Sequence, residues 1–202
     1  MNVMSLEAGP KSGAVRRHLR AATEEMHLSL HRAAPFAAIA GGQATLADYG
    51  GILRFLYRYH TAMAPVCTAG AAALGAEELA YAHAARLDRL AHDLSGLGFA
   101  LPACATGAAG ESGFCAGALY TVQGSTMGGK VIFRQLDYLL ADARGRSFFQ
   151  GGAEDGRNWR LLCDALERRR DVAAMEAGAR HAFQSFAQML TDHPIRGASS
   201  AT

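Results

Sequence analysis

The sequence predicts an all-α protein, one helical domain built as a multi-helix bundle. Half of the 202 residues are hydrophobic and only 8% are aromatic, a balance that suits packed helices better than a β-sandwich. Apolar residues recur at three- and four-residue steps nearly throughout, and no stretch shows the alternation of a strand. No segment repeats. The longest connection, residues 96–113, is too short and too apolar to link two domains.

Val15, Leu19, Ala22, Met26 and Leu30 define the first helix, which Pro35 is expected to end. A second begins near Thr45, where Asp48 makes a weak capping-box variant. It turns Tyr49, Ile52, Leu53, Leu56 and Met63 inward and is expected to stop at Pro65. The third runs from about Ala71 to Ser95 on Leu79, Leu87, Leu90 and Leu94, and Gly96 and Gly98 close it. The fourth spans about Phe114 to Ala141, and a loop with Gly145, Gly151, Gly152 and Gly156 follows. A fifth begins near Asn158 with Trp159, Leu162 and Leu166 inward. The sixth carries Val172, Met175, Ala179, Ala182, Phe183, Phe186 and Leu190. Residues 1–13 and 193–202 read as flexible ends around a domain at 14–192.

Composition excludes several functions. A formal net charge of +2 is too slight to imply nucleic acid as a partner. No uncharged apolar run reaches the roughly 18 residues of a membrane span, and the N-terminus lacks the apolar core of a signal peptide. A soluble, cytoplasmic protein is expected. Cys67, Cys104, Cys115 and Cys163 form no Cys-x-x-Cys pair and read as reduced, buried small hydrophobes.

The fourth predicted helix holds Gly124, Gly128 and Gly129, each costing about 1 kcal/mol relative to Ala in a helix interior. Such a bare patch serves either a close helix–helix contact, the commoner use, or a planar ligand. On the first helix, Arg20, Thr23 (or Glu24), His27 and His31 share a stripe. A zinc-protease reading fails because Leu28, not Glu, follows His27. The spacing Glu24-x-x-His27 suits a di-iron ligand pair, but no second copy exists. A lone helical histidine is most often a surface or core residue. Its functional alternative is a haem axial ligand, which needs one imidazole nitrogen, a cation such as Arg20 for the propionates and an open opposite face.

These motifs carry a resemblance. Leu19-Arg20-Ala21-Ala22-Thr23-Glu24-Glu25-Met26-His27 resembles the proximal-helix signature of bacterial haem (heme) oxygenases, and Gly124-Ser125-Thr126-Met127-Gly128-Gly129 resembles their kinked distal helix. Phe148-Phe149-Gln150-Gly151, Gly156-Arg157-Asn158-Trp159 and Ala182-Phe183 through Phe186 are similar to the family's later segments. The pattern is nearest the branch that supplies biliverdin to bacteriophytochromes. The resemblance implies a haem oxygenase-like bundle with haem b, at once substrate and cofactor, between the first helix and the glycine-bearing helix. His27 would ligate the iron, and Arg20, Thr23, His27, Gly124, Gly128 and Gly129 would bind the haem. Gly124, Ser125 and Gly128 would form the catalytic face. The implied reaction uses O2 and electrons from a ferredoxin or flavoprotein reductase to cleave haem at a meso carbon, giving biliverdin, CO and free iron. A bacteriophytochrome would accept the bilin.

Two departures stand out. Ser125 occupies the place of the Asp that organises distal water in animal-type enzymes, and Gln123 stands where the branch commonly has Glu. Arg134, Gln135 and Asp137 are either helpers or solvent-facing. His60 and His83 read as hydrogen-bonded core or pocket-edge residues, and His18, His31, His92, His181 and His193 as exposed. The run Glu167-Arg168-Arg169-Arg170-Asp171 reads as a solvated turn or as a docking patch for an acidic donor. A haem-binding or haem-trafficking protein without turnover, and a non-haem protein of the same architecture acting on a small molecule, are the alternatives.

Overall fold

The computed structural model describes residues 13–141 and 144–195, which form a helical bundle. Its elements are α1 (Ala14–His31), α2 (Ala34–Ala40), α3 (Leu46–Ala73), α4 (Glu78–Gly96), α5 (Ser112–Gln135), α6 (Ser147–Gln150), α7 (Asp155–Glu167) and α8 (Val172–Asp192). Helix α5 is central, packed between α8 and α3, while α4 lies on α3 and α1 flanks α8. Backbones touch at these contacts because side chains are missing. A Cβ on Gly117 would fall 1.8 Å from the Met175 carbonyl oxygen, one on Gly178 1.8 Å from that of Phe114, and one on Gly70 2.5 Å from that of Cys115. Among the described residues, no helix is long and apolar enough to cross a membrane.

The boundaries differ from the sequence reading where tertiary contacts outweigh local preference. Pro65 does not end a helix. Helix α3 continues through it to Ala73, because Met63, Val66 and Cys67 on either side are buried and their packing exceeds the roughly 3 kcal/mol cost of an internal proline. The break falls instead at Gly75, whose φ of 61° suits glycine alone. Pro35 lies in the first turn of the short α2, where its fixed φ is favourable. Helix α5 ends at Gln135, not Ala141, because the following residues are drawn sideways. The Tyr138 hydroxyl bonds the backbone of Ala44, and Asp137 pairs with Arg146. Glycine density hid the single turn α6, and α7 starts three residues before Asn158. Thr45 and Asp48 form a complete capping box.

Helix α1 begins at Gly13, which has no side chain to cap it. The Glu167 carboxylate, from the end of α7, accepts the N–H groups of Val15 and Arg16 at 3.2 and 3.0 Å instead. His18 meets Glu176 of α8 at 2.7 Å. Val15, Leu19 and Thr23 are buried, whereas Glu24, Glu25, His27, Leu28 and Ser29 are exposed. Arg169 binds the Ala73 carbonyl, the Ser112 hydroxyl and Asp171. The run 167–171 is therefore no freely solvated turn: Glu167 and Arg169 join α1, α3 and α5, and Arg168 and Arg170 stay exposed.

One further expectation is corrected. Cys67 and Cys115 are buried, but Cys104 is exposed on the connection before α5 and Cys163 is half-buried. Ile195 lies against α3 at Gly51, where a Cβ would come within 2.9 Å of its Cγ2. The remaining terminal residues, 1–12 and 196–202, lie outside the described residues.

Candidate functional site

The glycines of α5 do different work. Gly113 and Gly117 let α8 approach, and Gly129 is buried with a would-be Cβ 3.2 Å from the Phe149 carbonyl oxygen. Close helix packing accounts for these three. It does not account for Gly128, where a Cβ would meet nothing within 4 Å. Met127 and Val131, beside it on the same side of the helix, are 58% and 49% exposed. Gly124 shares this face, one turn back, and a Cβ there would meet the indole of Trp159 at 3.5 Å. Past Gly124 the helix thus offers a bare, apolar, uncovered surface.

Helix α1 presents the other half of the predicted site. His27 is exposed, with its ring centroid 6.1 Å from that of Phe183 on α8 in an edge-to-face arrangement. Arg20 is exposed on the same stripe. Thr23 is buried, and its hydroxyl donates to the Leu19 carbonyl at 2.8 Å, so it faces the core. The His31 side chain lies outside the described residues. Helices α1 and α5 both rest on α7 and α8 and barely pack on each other. Burial and Cys163 raise the Tyr120 phenol on α5, and the cations of Arg16 and Arg20 on α1 oppose the shift. A hollow of about 320 Å³ lined by Gly51, Arg54, Phe55, Arg58 and residues 192–195 lies elsewhere.

Sequence reasoning missed Arg86. This α4 residue is buried, and its guanidinium donates to the Val122 carbonyl at 2.8 Å and to the Ser125 hydroxyl at 2.9 Å. Ser125 in turn donates to Val122 at 2.7 Å. Phe148 lies beneath the cation, 5.0 Å from ring centroid to Cζ. Burial pushes Arg86 down to about 10, with Asp155 opposing the shift, so it stays charged at neutral pH. A signal existed: Leu79, His83, Arg86, Leu90 and Leu94 form one helical stripe, and a cation amid leucines there needs a partner. Gln123 is buried and donates to the Leu79 carbonyl at 3.2 Å, a second tie between α4 and α5. Arg134 is exposed and donates to the Lys130 carbonyl. Neither it nor Asp137, paired with Arg146, joins this network.

His60 and His83 are buried side by side, with ring centroids 5.3 Å apart. The His83 Nε2 donates to the His60 carbonyl at 3.0 Å, and both Nδ1 atoms lack a protein partner. Loss of hydration pushes His83 down to about 4 and His60 well below its ordinary value, and Arg86 adds repulsion to both. Both rings are neutral at physiological pH, as the sequence reading of core histidines requires.

No protein-family model and no curated protein matches the chain. Among solved structures, the fold is similar to that of the haem oxygenase of Neisseria meningitidis, a protein described in NO- and CO-bound forms. The match has a TM-score of 0.68 and 24% identity, and it covers 93% of this chain and 94% of that one. The all-helical, single-domain architecture is thus the haem oxygenase fold.

Proposed function

We propose that this protein is a haem oxygenase, with haem as its substrate held between α1 and α5. The observation that carries the reading is Gly128: a helix-interior glycine with no protein neighbour, flanked by exposed Met127 and Val131. Helix packing gives no reason for it, whereas a flat apolar ligand does. The same fold in the Neisseria enzyme supports the assignment. In this reading His27 supplies the imidazole for the iron. Arg20, exposed on the same stripe as His27, attracts the propionates. The bare backbone at Gly128 leaves room for O2, and Gly124 leads into that surface from under Trp159. Ser125, pinned by Arg86, offers a fixed hydroxyl oxygen to distal water in place of a carboxylate. When bound, haem supplies the iron that activates O2, and cleavage at a meso carbon yields biliverdin, CO and iron. Electrons come from a ferredoxin or flavoprotein reductase, and the bilin is of the kind a bacteriophytochrome takes up in the cytoplasm.

Hemin titration of the purified protein tests the reading. Stoichiometric binding with a histidine-ligated ferric spectrum is expected, and His27→Ala should lose that ligation while keeping its helix, because the position is exposed and Ala favours helix. Adding reductase, ferredoxin and O2 should replace the Soret band with the red band of biliverdin. Ser125 in place of a carboxylate gives the second reading, a haem carrier. Binding with an unchanged Soret band under turnover conditions would favour it, and no binding would overturn both.

A further inference from the structure

An axial imidazole fixes the centre of a macrocycle but leaves it free to rotate in its own plane. Something at the rim must set which edge faces the reactive side. Along the open face of α5 the surface changes abruptly at one point. A Cβ on Gly128 would meet nothing, whereas one on Gly124, a turn earlier, would meet Cη2 and Cζ3 of Trp159 at 3.5 Å. Behind that contact, the indole stacks on Tyr120 with centroids 5.4 Å apart at 34°. Tyr120 is buried, and Trp159 packs against the core from the first turns of α7. The benzo edge of a rigid, doubly supported indole therefore closes one end of the bare surface.

We infer that Trp159 is a specificity-determining residue, the steric stop that fixes in-plane rotation of the ligand lying on Gly128 and so selects which meso edge is presented for cleavage. The inference rests on the haem reading above. The indole, fixed over Gly124 and against Tyr120, limits how far the ring can turn toward that end of α5. Two χ angles and the stacking contact make it a stiff limit.

Trp159→Ala and Trp159→Phe test this, compared with the parent in two measurements. The first needs no turnover: proton NMR of the ferric, cyanide-bound complex reads in-plane orientation from the order and spread of the haem methyl resonances. The second is the isomer composition of the biliverdin formed. Trp159→Ala should change the methyl pattern and turn one predominant isomer into a mixture, while the Soret band still reports the axial histidine. Trp159→Phe, which keeps an aromatic edge, should stay near the parent in both. An unchanged methyl pattern and isomer composition in Trp159→Ala would overturn the inference and leave the haem reading intact. A parent that binds no haem would overturn both. If Trp159→Ala does not fold, as far-UV circular dichroism would show, Trp159→Leu replaces it with the same expected and contrary outcomes.

Discussion

Arg86 and His83 sit one turn apart on α4, and their buried charge states follow from the same scarcity of water. His83 has a folded value of about 4 against an ordinary 6.5, so between those limits the unfolded chain binds a proton that the folded chain refuses. Stability should therefore be full above about pH 6.5, fall as the pH drops toward about 4, and level off below, with His83 alone accounting for about 3 kcal/mol. His60 shifts in the same direction and steepens the loss. Urea unfolding at several pH values between about 7 and 4 should show it, and His83→Gln should flatten the acid limb. An acid limb as steep in that variant as in the parent would remove His83 from the account. The Arg86 charge persists throughout this range, which keeps Ser125 fixed while the imidazoles titrate.

At the scale of the element, α5 is two helices in one, and its glycines can be told apart by substitution. Gly117→Ala drives a methyl into the Met175 backbone and should destabilise by more than about 2 kcal/mol. Gly128→Ala meets nothing and should stabilise by up to about 1 kcal/mol. Gly128→Leu should fold as well as the parent yet abolish the proposed haem turnover, because its side chain would occupy the open face of α5. Thermal unfolding of the three variants, with a hemin titration of the last, checks this contrast. From the sequence alone, Gly124, Gly128 and Gly129 read as one patch. Only neighbours remote in the chain distinguish them: Trp159 for Gly124, Phe149 for Gly129 and none for Gly128. The helical period was legible because it repeats along the chain, as was the stripe of Arg20 and His27. Pro65 misled because its cost is local while the burial that outweighs it is not. Arg86 escaped notice because its acceptors lie almost 40 positions away.

Across the whole molecule, polar ties at helix ends add to the packing between layers. Glu167 is an amino-terminal cap supplied from another helix, taking the N–H groups that a serine or aspartate at position 13 would normally accept. Glu167→Ala should therefore cost about 1 kcal/mol, the usual worth of a cap, and raise amide hydrogen exchange in the first turn of α1. Unaltered exchange there would mean that water replaces the carboxylate without loss. Arg169 does the same for the far side of the bundle, holding the last turn of α3 and the first of α5 with one guanidinium.

The asymmetry of α1 has a mechanical consequence. Its amino half is bolted by Glu167, His18 and the buried Val15 and Leu19, and its carboxyl half, with His27, projects into solvent. The helix is thus tied firmly at its start and lightly at its end, where the edge-to-face contact of His27 with Phe183 is what a movement of this half would have to give up. Under the proposed function, entry of a flat ring would call on this end of α1 and not on its bolted start.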